Sequence, residues 1–252
     1  MKNTRLYRVV VALVAVVFVG CGIRTSNPVV SQTGSSPQSN TASAACRTQV
    51  NVVAAIDKLS SEVQSETELV RKSLIHESIE SPACRAEVVN GLIQAMNKPN
   101  LNFVFDRRSF YLWSNGSVIL GELKAVEALD LLIEHLDLND GEFSASMSHQ
   151  PAYQGVTLMG VLAIPKLSLA LQHKNQRIRL ASALCLTEID GPDAVTALEN
   201  ALKTETDQCV RRFIEISILI LEKERSRTLA QSSTDELIDL RRKLLASFRC
   251  VS

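Results

Sequence analysis

The sequence predicts an all-α chain, an α-solenoid of stacked antiparallel helix pairs, and three observations predict it. Ile178-Arg179 opens an apolar-periodic run, and Val210-Arg211 opens a second one like it. Between them Gly191-Pro192 introduces another run, Ala194, Leu198, Ala201 and Leu202. Helix, tight turn, helix and then the first helix again, at a period in the thirties, is the mark of stacked helix pairs. The second observation reaches further. LGELKAVEALDLLIEHL (120–136) aligns without gaps on LTEIDGPDAVTALENAL (186–202) at twice that period, which leaves room for one unit between them. AIPKLSLAL (163–171) supplies that unit's second helix, matching AVTALENAL (194–202) at close to a single period. The third observation is composition: 46% of the 252 residues are hydrophobic but 4% aromatic. Small and aliphatic side chains must therefore fill the core, and they let helix axes approach closely.

Taken in order, the chain begins with an address. Residues 1–8 carry Lys2, Arg5 and Arg8 and no acid, and Val9–Val19 is an unbroken apolar run. That run is little more than half the length of about 20 residues that a helix needs to cross a membrane. It instead fits the core of a signal peptide spanning 1–20. It ends in Phe18-Val19-Gly20-Cys21, which resembles a bacterial lipobox, with Phe18 where Leu is usual. The resemblance implies cleavage before Cys21, acylation of its thiol and anchorage to a lipid bilayer in the cell envelope. In a Gram-negative cell that means the outer membrane or periplasmic face. The other reading is an ordinary cleaved signal with Cys21 incidental. Loss of 1–20 removes three cations and no acid, which takes the formal net charge from 0 to −3. No basic field exists to gather a polyanion, so nucleic acid is not an expected partner. Residues 21–45 are rich in Ser, Thr, Gln, Asn and Pro and read as a flexible linker. Its r.m.s. reach is roughly 27 Å.

Residues 46–105 read as an N-terminal helical region. Helices are expected over 46–64, 66–79 and 82–96, the last with Ser81 as N-cap and Pro82 at its first position. Asn97-Lys98-Pro99-Asn100 stops it. Cys46 and Cys84 each stand at the start of a predicted helix. Two readings are open: a disulfide between them, allowed in an oxidising compartment, or two unrelated buried thiols.

Residues 106–225 carry the repeats. Helices are expected over 106–123 and 125–136. The stretch 137–152 then interrupts the pattern, longer than a usual helix connection. It reads as a solvated loop or as a partner contact anchored by Phe143, Met147 and His149. Its oxygen donors around Gly141 lack the alternation of a calcium loop. The first helix of the middle unit, near Tyr153–Met159, is weakened by Gly155 and Gly160. Residues 226–252 hold a C-terminal capping helix, Thr234–Phe248, opened by Ser233 and Glu236 as a capping box.

The run IRLASALCLTEIDGPDAVTALENAL (178–202), with Val210-Arg211 opening the next unit, resembles the short HEAT repeats of the phycobilin-lyase type, over about 106–221. Asp190-Gly191-Pro192 shuffles the family's Gly-Asp-Pro turn. The resemblance implies a scaffold that binds proteins, and less often an enzyme. It also implies that Arg179 and Arg211 form a structural ladder with turn acids, here Asp193 and Asp207.

Chemistry is sparse. His76, His135, His149 and His173 have no helical partner at i+4, and no zinc, nucleophile-elbow or phosphate-loop motif is present. Cys185 falls where the repeat wants a small core residue, and Trp113, Phe110 and Tyr111 read as core. No catalytic, cofactor-binding or metal-binding residue is assigned, and no cofactor is expected. The expected function is a membrane-tethered scaffold that is not an enzyme. It would bind an unidentified protein partner through the concave face formed by its second helices. The alternatives are an enzyme or chromophore lyase akin to the short-repeat lyases, or a purely structural envelope protein.

Overall fold

A computed structural model describes Cys46 and residues 51–98, 106–138, 150–229 and 234–247. These belong to one compact unit covering Thr41–Ser252. The expected signal peptide, Cys21, the expected linker, Ser233 and the loop residues Phe143, Met147 and His149 lie outside the described residues. The N-terminal helices are α1 (Val52–Lys58), α2 (Gln64–Glu80) and α3 (Pro82–Met96). There follow α4 (Arg107–Glu122), α5 (Leu129–Glu134), α6 (Pro151–Met159), α7 (Ile164–Ala170), α8 (Gln176–Ile189) and α9 (Pro192–Thr204). The chain continues through α10 (Gln208–Leu229) and α11 (Thr234–Ser247).

From α4 onward the chain alternates between two layers. The first helices, α4, α6, α8 and α10, pack side by side, and the second helices, α5, α7 and α9, pack beside one another. This is an all-α solenoid of stacked helix pairs. Burial sets α8 apart from the second helices beside it. In α8, Ile178 and every residue from Leu180 to Thr187 is buried, so that helix is enclosed on all sides. In α9 a single stripe is buried, Ala194, Val195, Leu198 and Ala201, and the opposite face meets solvent. The same holds for α7, with Ile164, Leu167 and Ala170 buried.

The α4–α6 crossing is the tightest in the stack. A Cβ on Gly121 would stand 2.5 Å from the Gly155 carbonyl oxygen, and one on Gly155 would stand 2.5 Å from that of Ser117. The buried Ser117 hydroxyl donates to the Pro151 carbonyl at 2.5 Å. Gly155 therefore does not weaken α6, as its helix propensity suggests. It lets the two backbones touch.

The pairs α4–α5, α6–α7 and α8–α9 turn their corners through positive φ: Lys124 at 52°, Gly160 at 64°, and Asp190 and Gly191 at 60° and 101°. Gly160 accordingly ends α6. Asp190 occupies, with ψ at 178°, a region that suits glycine. Asp190→Gly should stabilise the protein by about 1 kcal/mol. In thermal unfolding that is a rise of roughly 2–4 °C, and an unchanged or lower midpoint would contradict it.

Other boundaries differ from the sequence reading for local reasons. The first helix does not run over 46–64. It is α1 alone, opened by Asn51, whose side chain accepts from the Ala54 amide at 3.1 Å, and α2 starts afresh at Gln64 behind an extended Val63. Val63, counted in the apolar stripe, is 49% exposed. The second helices of the first two pairs begin as 3-10 turns, Val126–Ala128 and Gly160–Ala163, so α5 and α7 are shorter than 125–136 and 163–171. Ser81 and Pro82 do open α3, the Ser81 hydroxyl accepting from the Cys84 amide at 3.3 Å. At the far end α11 packs on α10 through buried Leu237 and Leu244 and the Arg241–Glu224 and Lys223–Glu236 pairs at 2.7 Å.

Candidate functional site

The recurring arginines form equivalent contacts. Arg179 donates to the carbonyl of His173 at 2.9 Å, and Arg211 to that of Glu205 at 3.1 Å. Both acceptors lie just upstream, so each arginine closes the carbonyl end of the second helix before it. The carboxylate partner of Arg179 is Glu205, at 2.7 Å, with the two side chains 15% and 6% exposed. Neither Asp193 nor Asp207 takes that place. In an antiparallel pair the start of α8 sits beside the end of α9, where Glu205 is. Asp193 stands in the first turn of α9, a helix about 20 Å long. Asp207 caps α10, accepting from the amides of Cys209 at 2.9 Å and Val210 at 3.0 Å. The Val210 amide above all, and then Gln176, Cys209 and Arg179, hold its carboxyl below the usual aspartate range. Its contribution to stability is therefore present at neutral pH and lost as pH falls through that lowered value.

Glu205 also accepts from the amides of Thr206 and Asp207, at 3.0 and 2.9 Å. Arg179→Ala would leave a buried carboxylate with those two donors. We expect a loss of about 2 kcal/mol, less than for a fully orphaned buried charge, read as a lower urea midpoint. A change under about 0.5 kcal/mol would show the pair to be idle.

The other polar residues singled out in the sequence are dispersed. His76 is exposed. The His135 ring lies tilted against buried Trp113 with centroids 4.7 Å apart, and His173 lies 3.6 Å from Glu134. Phe110, packed against the core, and Tyr111 lie at the start of α4, under the Arg107 guanidinium. Cys185 is wholly buried, and desolvation, with Glu188 nearby, pushes its thiol well above the ordinary cysteine range. Such a thiol is packing, not a nucleophile. Cys46 and Cys84 are joined by a disulfide with Cα atoms 4.7 Å apart. Among the described residues no group of three or more His, Cys, Asp or Glu is placed to hold a metal ion. Nor is any described helix long and apolar enough to cross a membrane.

Within the repeats, the outer side of the second helices offers an open surface. A groove of about 320 Å³ runs between α7 and α9, with Ser168, Leu169 and Gln172 facing Thr196, Ala197 and Asn200. Lys166 on α7 reaches Asp130 on α5 at 2.7 Å, so the three helices share one outward face. A larger groove, about 670 Å³, lies between α1 and α3, outside the repeats.

This architecture is that of a HEAT-repeat-like helical scaffold. Residues 157–218, about a quarter of the chain, match the HEAT repeats family. The chain is also weakly similar to the Bilin biosynthesis protein RpcF of Synechococcus sp. (strain WH8020). The two are 32% identical over 93 residues, which are 37% of this chain and 42% of that protein. The chain thus spans about two fifths of that relative's length.

Proposed function

We propose that this protein is a lipid-anchored, exported scaffold that holds a partner protein against the concave face of its second helices and performs no catalysis. The observation that carries the reading is the exposed side of the second helices. α7 and α9 bury one stripe each and leave their opposite sides as a continuous outward face with a groove along it. Stacked helix pairs offer such faces to extended partners. Export is supported by the basic, apolar and Gly20-Cys21 sequence of residues 1–21. The Cys46–Cys84 disulfide belongs to an oxidising compartment. Acylated Cys21 would tether the body to the envelope through the 21–45 linker.

Photo-crosslinking residues placed at Glu127, Gln172 and Thr196 test the binding face, with Glu215 on α10 as the control. A protein captured from the second-helix positions and not from Glu215 supports the reading. Capture from Glu215 alone overturns it. Cys21→Ser should move the protein from the membrane fraction to the soluble one, and continued membrane association would end the lipid-anchor proposal. A second reading, chromophore handling, rests on the name of the cyanobacterial relative. Its test is visible absorbance retained after incubation with a linear tetrapyrrole and gel filtration.

A further inference from the structure

The outward face of the second helices is not uniform. The repeat alignment superposes Glu127, Leu162 and Asp193, and likewise Glu134, Leu169 and Asn200. In the middle unit alone these outward positions are apolar. Leu162, Pro165 and Leu169 are spaced three and four apart, which places them on one side of the α7 run. Leu162 is 48% exposed and Leu169 70%, and neighbouring Val161 is 67% exposed. Scattered exposed leucines are ordinary, but an apolar strip with polar margins marks a contact surface. Its margins carry a net negative charge. Across 126–134, 160–170 and 192–204 there are five acids, Glu127, Asp130, Glu134, Asp193 and Glu199, against Lys166 and Lys203. Lys166 pairs with Asp130 at 2.7 Å, Arg85 of α3 with Glu127 at 2.9 Å, and Lys203 donates to Asn200 at 2.8 Å, so Glu134, Asp193 and Glu199 carry the excess negative charge.

We propose that the α7 strip docks a cationic amphipathic helix of the partner protein. That helix would lay apolar anchors along Leu162, Pro165 and Leu169 and set Lys or Arg against the acids of α5 and α9. The proposal rests on the reading of the second-helix face as the binding face, and it adds the chemistry of the ligand. An apolar ridge between acidic banks selects a basic amphipathic helix and repels an acidic one. The same charges repel an anionic bilayer surface.

The test uses the full chain and two fluorescent peptides of about 18 residues, long enough to form an amphipathic helix. One is built from Leu and Lys, and the other has Glu in place of every Lys. Fluorescence anisotropy should show the Leu/Lys peptide binding at least about tenfold tighter than the Leu/Glu peptide, with the difference shrinking as salt is raised. The double variant Leu162→Ser/Leu169→Ser should weaken Leu/Lys binding at least about tenfold, with its thermal midpoint unchanged because both side chains are exposed. Glu134→Lys with Asp193→Lys should narrow or reverse the preference. Equal binding of the two peptides, or binding indifferent to the leucine pair, overturns the proposal. So does self-association that Leu162→Ser/Leu169→Ser abolishes, because a second copy is then the occupant. If the partner still crosslinks at Glu127 and Thr196 while the leucine pair has no effect, the binding-face reading stands and this inference falls. Crosslinks confined to Glu215 fell the reading itself.

Discussion

Gly155→Ala is expected to cost about 3 kcal/mol or more of folding stability, and Gly121→Ala a similar amount. Alanine normally improves a helix interior over glycine by about 1 kcal/mol, so the direction of the effect is itself diagnostic. A methyl on Gly155 would meet the Ser117 carbonyl oxygen at 2.5 Å and its carbon at 2.9 Å. A methyl on Gly121 would meet the Gly155 oxygen at 2.5 Å and the Leu158 Cβ at 2.7 Å. These are backbone atoms or atoms fixed to backbone. Relief requires α4 and α6 to separate, which strips the Ser117–Pro151 hydrogen bond and loosens packing along both helices. In a stack of repeats stability is a sum of units and interfaces, so a weakened α4–α6 interface should also uncouple the N-terminal helices from α8–α10. We expect urea unfolding of Gly155→Ala to start earlier and to broaden or split into two transitions. Gly91→Ala is the control. Its methyl would meet the Ile56 Cδ1 at 2.8 Å, a rotatable tip, so it should be nearly neutral. Equal midpoints for Gly155→Ala and the wild type would mean that the two helices are not in backbone contact.

The helix pairs were legible because periodicity and repetition are properties of the chain itself. The spacing from Ile178-Arg179 to Val210-Arg211, and its near-doubling from 120–136 to 186–202, come from equivalent burial in successive units, and α8, α9 and α10 follow them closely. Ser81-Pro82 announced α3 because capping is local chemistry. Contacts between units were harder to read. Gly155 looks the same in sequence whether it weakens a helix or admits a neighbour. The available signal was the small pair Ser117 and Gly121, one helical turn apart, with another glycine, Gly155, in the first helix of the next unit. Arg179 was legible as a ladder residue, but its carboxylate partner was not. Finding Glu205 requires knowing which helix ends lie together, and acids nearer the turn motif drew the assignment. The α7 strip is not legible in the sequence because Leu162 and Leu169 look like core until α7 is laid against α5 and α9, where they face outward.

Removing the Cys46–Cys84 crosslink should lower stability by about 4 kcal/mol on the chain-entropy model, for a bridge with a sequence separation of 38. The loss should fall on one end of the molecule. α1 has seven residues, too few to hold a helix alone. It is kept in place by Val52, Ala55 and Ile56 packing on its neighbours, and by the bridge that ties the chain before it to the first turn of α3. Opening the bridge frees α1 and the chain leading to it, while α8–α10 keep every contact. Hydrogen exchange on Cys46→Ser/Cys84→Ser should therefore show fast exchange through α1 and the start of α2, with α8 unchanged. Uniform exchange across the two proteins would mean that the crosslink adds nothing to the packing of α1. The same residues test the compartment. Cys46 is 4% exposed and Cys84 is fully buried, so a preformed bridge resists small reductants until the end of the stack opens. Protein taken from its own cells under acid quench should carry the bridge intact. If both thiols are alkylated instead, the chain resides in a reducing compartment, and the export proposal falls with the bridge.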